Sequence, residues 1–146
     1  IEEFELISGD CGENVSYELN DSGIIVISGD GAIYDNFEFG NKSKIKKVVI
    51  GEGVTFVSAS AFKDCNRLRF VEFASSIEEI GKGAFAGCEN VISITIKSDL
   101  PPIVGSNTFE GVESSVEIVV PALAMRYYKA AVQNHLRISP HRHTHR

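Results

Sequence analysis

IKKVVIGEGVTFVSASAFKDCNR, at residues 45–67, is followed directly by LRFVEFASSIEEIGKGAFAGCEN at residues 68–90. When the two stretches are aligned, apolar residues coincide at eight positions or more. The matching pairs are Ile45/Leu68, Val48/Val71, Ile50/Phe73, Val54/Ile77, Val57/Ile80, Ala61/Ala84, Phe62/Phe85 and Cys65/Cys88. The chain therefore repeats with a period of 23 residues. A period of this length is typical of solenoid proteins, in which each repeat forms one coil.

A third copy begins at Val91 and reads VISITIKSDLPPIVGSNTFEGV. Its apolar residues at the same offset are Ile94, Ile96, Leu100 and Ile103. The copy gains one residue before Phe109, which therefore lies 24 residues after Phe85. The run VEIVVP, from residue 116, predicts a last strand with no full repeat behind it. We therefore expect about three coils, at residues 45–67, 68–90 and 91–115, and a partial one at 116–120.

Each copy predicts one strand followed by a tight segment. Apolar residues alternate with others in Val48-Val49-Ile50 and again in Val71-Glu72-Phe73, and a period of two is typical of a half-buried strand. The Ser- and Gly-rich pieces SASAF, GKGAF and GSNTF are too short for a helix of average length. They predict a single helical turn or a tight loop that places its Phe in the interior. The expected fold class is therefore mainly β with short helical segments.

The first residues of the chain are predicted to cap the solenoid. A single coil cannot fold alone, because its few apolar side chains do not offset the backbone entropy lost in ordering it. Stacked coils bury each other's faces and need a cap at both ends. Residues 8–36 do not fit the 23-residue template. Residues 1–44 are expected to form the N-terminal cap, with a β-hairpin of strands 15–19 and 24–28 around the turn cluster at 20–23.

The other end of the chain predicts a capping helix. Pro121 begins a segment, 121–135, that is rich in helix-forming residues, and proline suits the first position of a helix. The inner face at helical spacing is either Leu123, Tyr127 and Ala131 or Ala124, Tyr128 and Val132. Residues 136–146 are expected to form a basic tail of His and Arg. The whole chain is predicted to be one structural domain.

The motif Ala-Phe-x-x-Cys occurs at residues 61–65 and 84–88, and Ile80-Gly81 precedes its second copy. In motif and spacing the chain resembles the BspA-like leucine-rich repeats of bacterial and protist surface proteins. The third copy departs from the pattern, because Val112 stands near the position expected for Cys. The resemblance covers roughly residues 8–135. It implies a leucine-rich-repeat-like solenoid, a secreted or cell-surface location, and roles in adhesion or protein binding.

Charge and hydropathy exclude two classes of partner. The chain has 14 Lys and Arg against 20 Asp and Glu, a net charge of −6, and residues 1–134 alone carry −9. An acidic body argues against nucleic acid, which is bound through clustered cations. No apolar stretch approaches the roughly 18 residues of a membrane-spanning helix. The chain begins at Ile1 without a charged-then-apolar segment, so we expect any export signal to lie outside this sequence.

The reactive side chains predict no enzyme. All four His lie in residues 135–146, so no His elsewhere can serve as base to a Ser or Cys nucleophile. The acids are scattered, and no glycine-rich phosphate loop is present. We expect no catalytic residue, cofactor or metal, although residue types alone leave a Ser–Lys or paired-carboxylate site open. His141, His143 and His145 alternate and could bind Zn²⁺ or Ni²⁺, but we interpret them as part of a solvated tail.

Cys65 and Cys88 lie one coil apart and invite a disulfide interpretation. Parallel side chains on adjacent coils stay about 4.8 Å apart at Cβ, whereas a bridge prefers about 3.8 Å. We therefore expect both to be buried free thiols that act as small apolar side chains. Cys11 leaves an odd number of cysteines.

The candidate contact residues lie on the predicted strands. Val49, Glu72 and Thr95 are expected to stack outward, and Phe56 and Phe70 would be contact anchors unless they turn inward or the hairpin covers them. The leading hypothesis is a non-catalytic extracellular or cell-surface module that binds a protein partner or mediates adhesion. One alternative is a glycan-binding module in which Phe56, Phe70, Tyr17 or Tyr34 stack on sugar rings. The other is a structural spacer of a larger surface protein.

Overall fold

The computed structural model describes residues 6–132, which form a β-solenoid with one short C-terminal helix. Its strands are β1 (Ile7–Gly12), β2 (Val15–Leu19), β3 (Ile24–Gly29), β4 (Gly31–Ala32), β5 (Lys47–Ile50), β6 (Val54–Val57), β7 (Phe70–Phe73), β8 (Glu79–Ile80), β9 (Ser93–Ile96), β10 (Ile103–Val104) and β11 (Glu117–Val119). A 3₁₀ turn, Ala122–Ala124, leads into the helix α1, Met125–Val132.

The strands form two sheets, and every complete coil contributes one strand to each. The seven-stranded sheet has the order β1-β2-β3-β5-β7-β9-β11, and the four-stranded sheet has the order β10-β8-β6-β4. From β3 onward neighbouring strands are parallel, and Lys47 pairs with Phe70, which pairs with Ser93. The register therefore advances by one repeat per rung. The second strand in each coil, and hence the four-stranded sheet, was not predicted from the sequence.

The predicted hairpin is confirmed, but it does more than cover the first coil. β2 and β3 are antiparallel, and the Asn20 side-chain oxygen accepts hydrogen bonds from the backbone N–H groups of Ser22 and Ile24, at 2.9 and 3.0 Å. An additional antiparallel strand, β1, pairs with β2 on the far side. β3 then pairs in parallel with β5, so the second strand of the hairpin is itself the first parallel rung of the solenoid.

The solenoid extends further back than the sequence predicts, into residues that were expected to form the N-terminal cap. Ile24 pairs with Lys47 and Gly31 with Val54, both at the repeat offset of 23 residues. The structure therefore has about four coils. The earliest coil lacks the sequence motif, since Lys42 stands where the next two coils have Cys and Gly31 stands where they have an apolar residue. This coil has too few apolar residues at the repeat positions for the sequence alignment to identify it as a copy.

The tight segments place their phenylalanines in the interior, as the sequence predicts for Phe62, Phe85 and Phe109, and the rings stack in one column. Phe39, Phe62, Phe85 and Phe109 succeed one another with ring centroids 4.5, 5.3 and 5.7 Å apart and planes within 10° of parallel. The segments are turns, and they are joined from coil to coil by backbone hydrogen bonds. The Phe62 N–H donates to the carbonyl oxygen of Ala84, and the Phe85 N–H to that of Thr108, both at 2.8 Å. These backbone hydrogen bonds hold each phenylalanine in position over the phenylalanine of the next coil.

The third coil differs from its predicted alignment. Ile103 pairs with Glu79 and Val104 with Ile80, so the extra residue precedes Ile103 and does not fall between Ile103 and Phe109. Ile103 and Leu100, expected at core positions, are 68% and 67% exposed. The cause is the Leu100-Pro101-Pro102 sequence, because proline has no N–H to donate to the preceding coil. The third coil therefore holds one more residue than the second at this corner.

The C-terminal helix covers the last coil through the second of its two predicted faces. Ala124 and Tyr128 are buried, whereas Leu123 and Tyr127 are exposed. The Tyr128 hydroxyl donates a hydrogen bond of 2.7 Å to the carbonyl oxygen of Ser98, and burial raises the pKa of Tyr128 above its ordinary value. The buried hydroxyl of Tyr128 is therefore paired, which avoids the cost of leaving a polar group in the cap without a hydrogen bond.

We expect Phe85→Ala to lower the free energy of unfolding by about 3–5 kcal/mol, the usual cost of removing a buried phenylalanine. Phe85 is fully buried, stacks on two rings of the column and contacts Phe73 edge-on. Urea denaturation monitored by circular dichroism measures the loss. The matched control is Phe70→Ala, because Phe70 is 43% exposed and its loss is expected to cost less than about 1 kcal/mol. Equal losses in the two variants would contradict the column as the core.

Candidate functional site

The outer face of the seven-stranded sheet is the candidate site. We define this outer face by the residues of β3, β5, β7 and β9 that alternate with buried ones: Ile24, Val26, Lys47, Val49, Phe70, Glu72, Ser93 and Thr95. The residues between them, such as Val48 and Ile94, are fully buried. Because strand pairing fixes each rung against the next, the outer face is a rigid array in two rows, one through Val49 and the other through Phe70.

One half of the outer face is apolar. Val26 is 39% exposed and Phe70 43%, which is high for side chains of this type. Val49 is half-buried, pairs with Val26 on the neighbouring strand and lies diagonally beside Phe70. Together with Ile24 these residues form what we call the apolar strip: Ile24, Val26, Val49 and Phe70. Branched and aromatic side chains held together on a fixed backbone can bind a partner without a large loss of conformational entropy.

Beside the apolar strip lies a charged group of three residues. The Glu72 carboxylate is 2.8 Å from the Lys97 ammonium and 3.7 Å from that of Lys47. The hydrogen bond from Lys97, followed by the positive charges of Lys97 and Lys47, lowers the pKa of Glu72. Glu72 is therefore ionised throughout the neutral range and is held between two lysines. Thr95 is its neighbour on the next strand.

Four of the five predicted contact residues share the outer face, and the fifth does not. Val49, Phe70, Glu72 and Thr95 lie on adjacent strands of the seven-stranded sheet. Phe56 lies on β6 of the four-stranded sheet, where its partners are Ala32 and Glu79.

The sequence analysis also missed part of the outer face. Val26 was not identified because β3 was not recognised as a rung of the repeat. Lys97 was missed because it follows the end of β9. Its position one rung along and two residues beyond Glu72 was the available signal.

The aromatic residues considered for sugar stacking do not form one surface. Tyr17 is half-buried, and its ring lies against those of Phe39 and Phe37, at centroid distances of 5.2 and 6.2 Å. Tyr34 is exposed in the loop after β4, where its N–H donates to the carbonyl oxygen of Cys11. Phe70 stands on the outer face and Phe56 on the other sheet. Aromatic stacking on a sugar chain therefore has no shared platform here.

The three cysteines are buried and free in the structure. The Cys88 thiol donates a hydrogen bond of 3.2 Å to the carbonyl oxygen of Phe62. Its hydrogen bond with Cys65, together with burial, raises the pKa of Cys88 above the ordinary value. Burial, with a smaller contribution from the charge of Asp10, raises the pKa of the Cys11 thiol to about 11.

Within residues 6–132, no three His, Cys, Asp or Glu side chains are grouped closely enough to hold a metal ion. His141, His143 and His145, the candidate metal ligands of the tail, lie outside the described residues. No helix in the described part of the chain has the length and apolar character needed to cross a membrane.

Parallel rungs, a column of stacked phenylalanines and a repeat of 23 residues define a leucine-rich-repeat solenoid. The family described as BspA type leucine rich repeat region (6 copies) matches residues 32–140, and the chain belongs to this family. The match begins before residue 45, which agrees with the additional coil. No curated protein matches the chain.

Two solved structures are similar to the chain. A leucine-rich repeat protein from Eubacterium ventriosum ATCC 27560 has 25% sequence identity and a TM-score of 0.57, over 80% of this chain and 38% of its own. A leucine rich cell surface protein from Faecalibacterium prausnitzii A2-165 has 15% identity and a TM-score of 0.30, over 82% of this chain and 46% of its own. The chain therefore spans less than half the length of either protein.

We expect the native protein to resist alkylation by iodoacetamide at about pH 8, because all three thiols are fully buried and out of reach of the reagent. Mass spectrometry should show no adduct before unfolding and three adducts, one on each of Cys11, Cys65 and Cys88, in denaturant. Ser16→Cys is the positive control, since Ser16 is exposed on β2 and its replacement should react at once. Rapid labelling of a native thiol, or a non-reduced mass lower by two hydrogens, would contradict the assignment.

Proposed function

We propose that the chain is a non-catalytic binding module that acts outside the cell, on its surface or after secretion, and that its outer face binds a protein partner. The observation that carries this proposal is the apolar strip. Phe70 is 43% exposed and Val26 is 39% exposed, although the other face of the same sheet is buried in the core. The extracellular location is supported by the family, because BspA-like repeats occur in surface proteins of bacteria and protists. Adhesion is one form that such binding would take.

The composition of the outer face favours a protein over other partners. Protein interfaces commonly combine aromatic anchors with a polar rim, and a few anchors supply most of the binding energy. Phe70 is the aromatic anchor of this face, and Val49 extends its apolar surface. The rim is formed by Glu72, held between Lys47 and Lys97, and by Thr95. Because Glu72 is already paired with the lysines, its position is fixed before a partner arrives.

A spacer role is the second candidate, and one observation favours it. The chain spans 38% of the similar Eubacterium ventriosum protein, so these coils could serve as one section of a longer array. A spacer would need no apolar strip. Single exposed apolar side chains are ordinary on a protein surface, whereas a group of adjacent ones on one face is typical of an interaction site. The exposure of Val26 and Phe70 therefore favours binding.

We expect the double variant Val49→Ala and Phe70→Ala to weaken partner binding at least tenfold, since loss of an anchor residue costs about 2 kcal/mol or more. Immobilised wild-type protein would first be used to capture extracellular proteins, and the affinity of each captured protein would then be measured with the variants. The matched control is Leu100→Ala with Ile103→Ala, which removes two apolar groups that are more exposed, at 67% and 68%, and lie away from the outer face. Equal affinity for all three forms would overturn the proposal and favour the spacer.

A further inference from the structure

A groove runs along the edge of the seven-stranded sheet where its strands begin. It has a volume of about 540 Å³ and is lined by Lys46, Asn66, Arg67, Arg69, Asn90 and Ile92. These residues immediately precede β5, β7 and β9 or lie in the turns that lead into them. The groove is therefore built from the same position of three successive coils, and it is separate from the apolar strip.

Four cations are brought together at this edge by the repeat. Lys44 and Lys46 are the counterparts, one coil earlier, of Arg67 and Arg69. The Arg69 N–H donates a 2.9 Å hydrogen bond to the carbonyl oxygen of Lys46, so the two residues are neighbours on adjacent rungs, about 4.8 Å apart. A smaller hollow of about 230 Å³ adjoins the groove, shares Lys46 and Arg67 with it, and adds Lys44. Asp21 is the acidic residue in the lining of this hollow.

The four cations have no acidic partners among the residues that the structure describes. Between residues 6 and 132, the ion pairs within 4.0 Å join Glu72 to Lys47 and to Lys97, and none includes a cation of the groove. This is unexpected in a chain with 20 acidic residues and a net charge of −6. Four exposed cations of one sign repel each other, and an anionic ligand would relieve that repulsion.

We propose that this groove binds a segment of an acidic polysaccharide through its sulfate or carboxylate groups. Arg67 and Arg69 each present a planar fork of N–H donors, which pairs with two oxygens of such a group at once. Asn66 and Asn90 place amide groups at the groove, where they can bond sugar hydroxyls. Asn90 already bridges two coils by donating to the carbonyl oxygen of Asn66. This inference concerns a different surface from the outer face and holds whether or not that face binds a protein.

The lining of the groove favours a polysaccharide over the other polyanions. Proteins that bind single-stranded nucleic acids combine a basic groove with aromatic side chains on which the bases stack, and none of the residues that line this groove is aromatic. An acidic peptide would use apolar pockets for anchoring side chains. The groove offers Ile92 as its one apolar lining residue.

The test measures binding of a fluorescent heparin-derived hexasaccharide to the full chain at about pH 8, where histidine is neutral. The other probes are an oligogalacturonate, which carries only carboxylates, a neutral maltohexaose, a polyglutamate peptide and a single-stranded oligonucleotide. We expect Arg67→Ala with Arg69→Ala to weaken binding of the sulfated or carboxylated sugar about tenfold or more. The matched control is Lys82→Ala with Lys129→Ala, which removes the same charge at exposed positions away from the groove.

The control should bind nearly as tightly as the wild type. Tighter binding of the hexasaccharide, which carries both groups, would show that sulfate is recognised, and equal or tighter binding of oligogalacturonate would show that carboxylate is sufficient. Both double variants retain the basic tail, so a difference between them reports on the groove alone. Equal weakening in the two variants would show diffuse charge attraction and overturn the proposal. The proposal would be overturned if neither acidic sugar bound. It would also be overturned if the oligonucleotide, the peptide or the neutral sugar bound more tightly than the acidic sugars.

Discussion

The stacking of each coil on the next is the interaction on which the rest of the structure depends. In each coil one phenylalanine lies over its counterpart, and the backbone around it donates hydrogen bonds to the adjacent coil. Neither element is stable alone, since one ring has little to bury against and one strand has no partner. Burial and hydrogen bonding therefore reinforce each other only when the register of 23 residues is kept. The ends are closed by the β1–β2 strands and by Tyr128 of the C-terminal helix.

Both proposed binding surfaces follow from this stacking. A repeat places equivalent positions in rows, so a residue type that recurs becomes a continuous feature of the surface. Val26 and Val49 form an apolar row in this way, and Lys46 and Arg69 form a basic one. The rows lie on rigid backbone, which lowers the entropy that a ligand must remove on binding. The family and its fold do not determine which ligands bind, because binding depends on the side chains of individual coils.

The sequence predicted most where coils resemble each other and least where they do not. Phe62 and Phe85 could be placed on one column because the surrounding motif recurs unchanged. Phe39 belongs to the same column but was missed, since Glu38 replaces the alanine that precedes phenylalanine in the intact copies. Similarly, Ile103 has the chemistry of a core residue and is exposed because the prolines before it shift the register. Four of the five proposed contacts could be placed together because their strands alternate regularly, whereas Phe56 required knowledge of the second sheet.

The most direct test of the stacking account is the deletion of one whole coil. Removal of residues 68–90 joins Arg67 to Val91 and brings Phe109 into register above Phe62. Removal of residues 69–90, one residue fewer, leaves the following strand out of phase, so its inward side chains face water. We predict that the first protein keeps a β-sheet circular dichroism spectrum and a cooperative thermal unfolding transition, and that the second loses both. Equal folding of the two proteins, or failure of the in-register deletion to fold, would contradict the account.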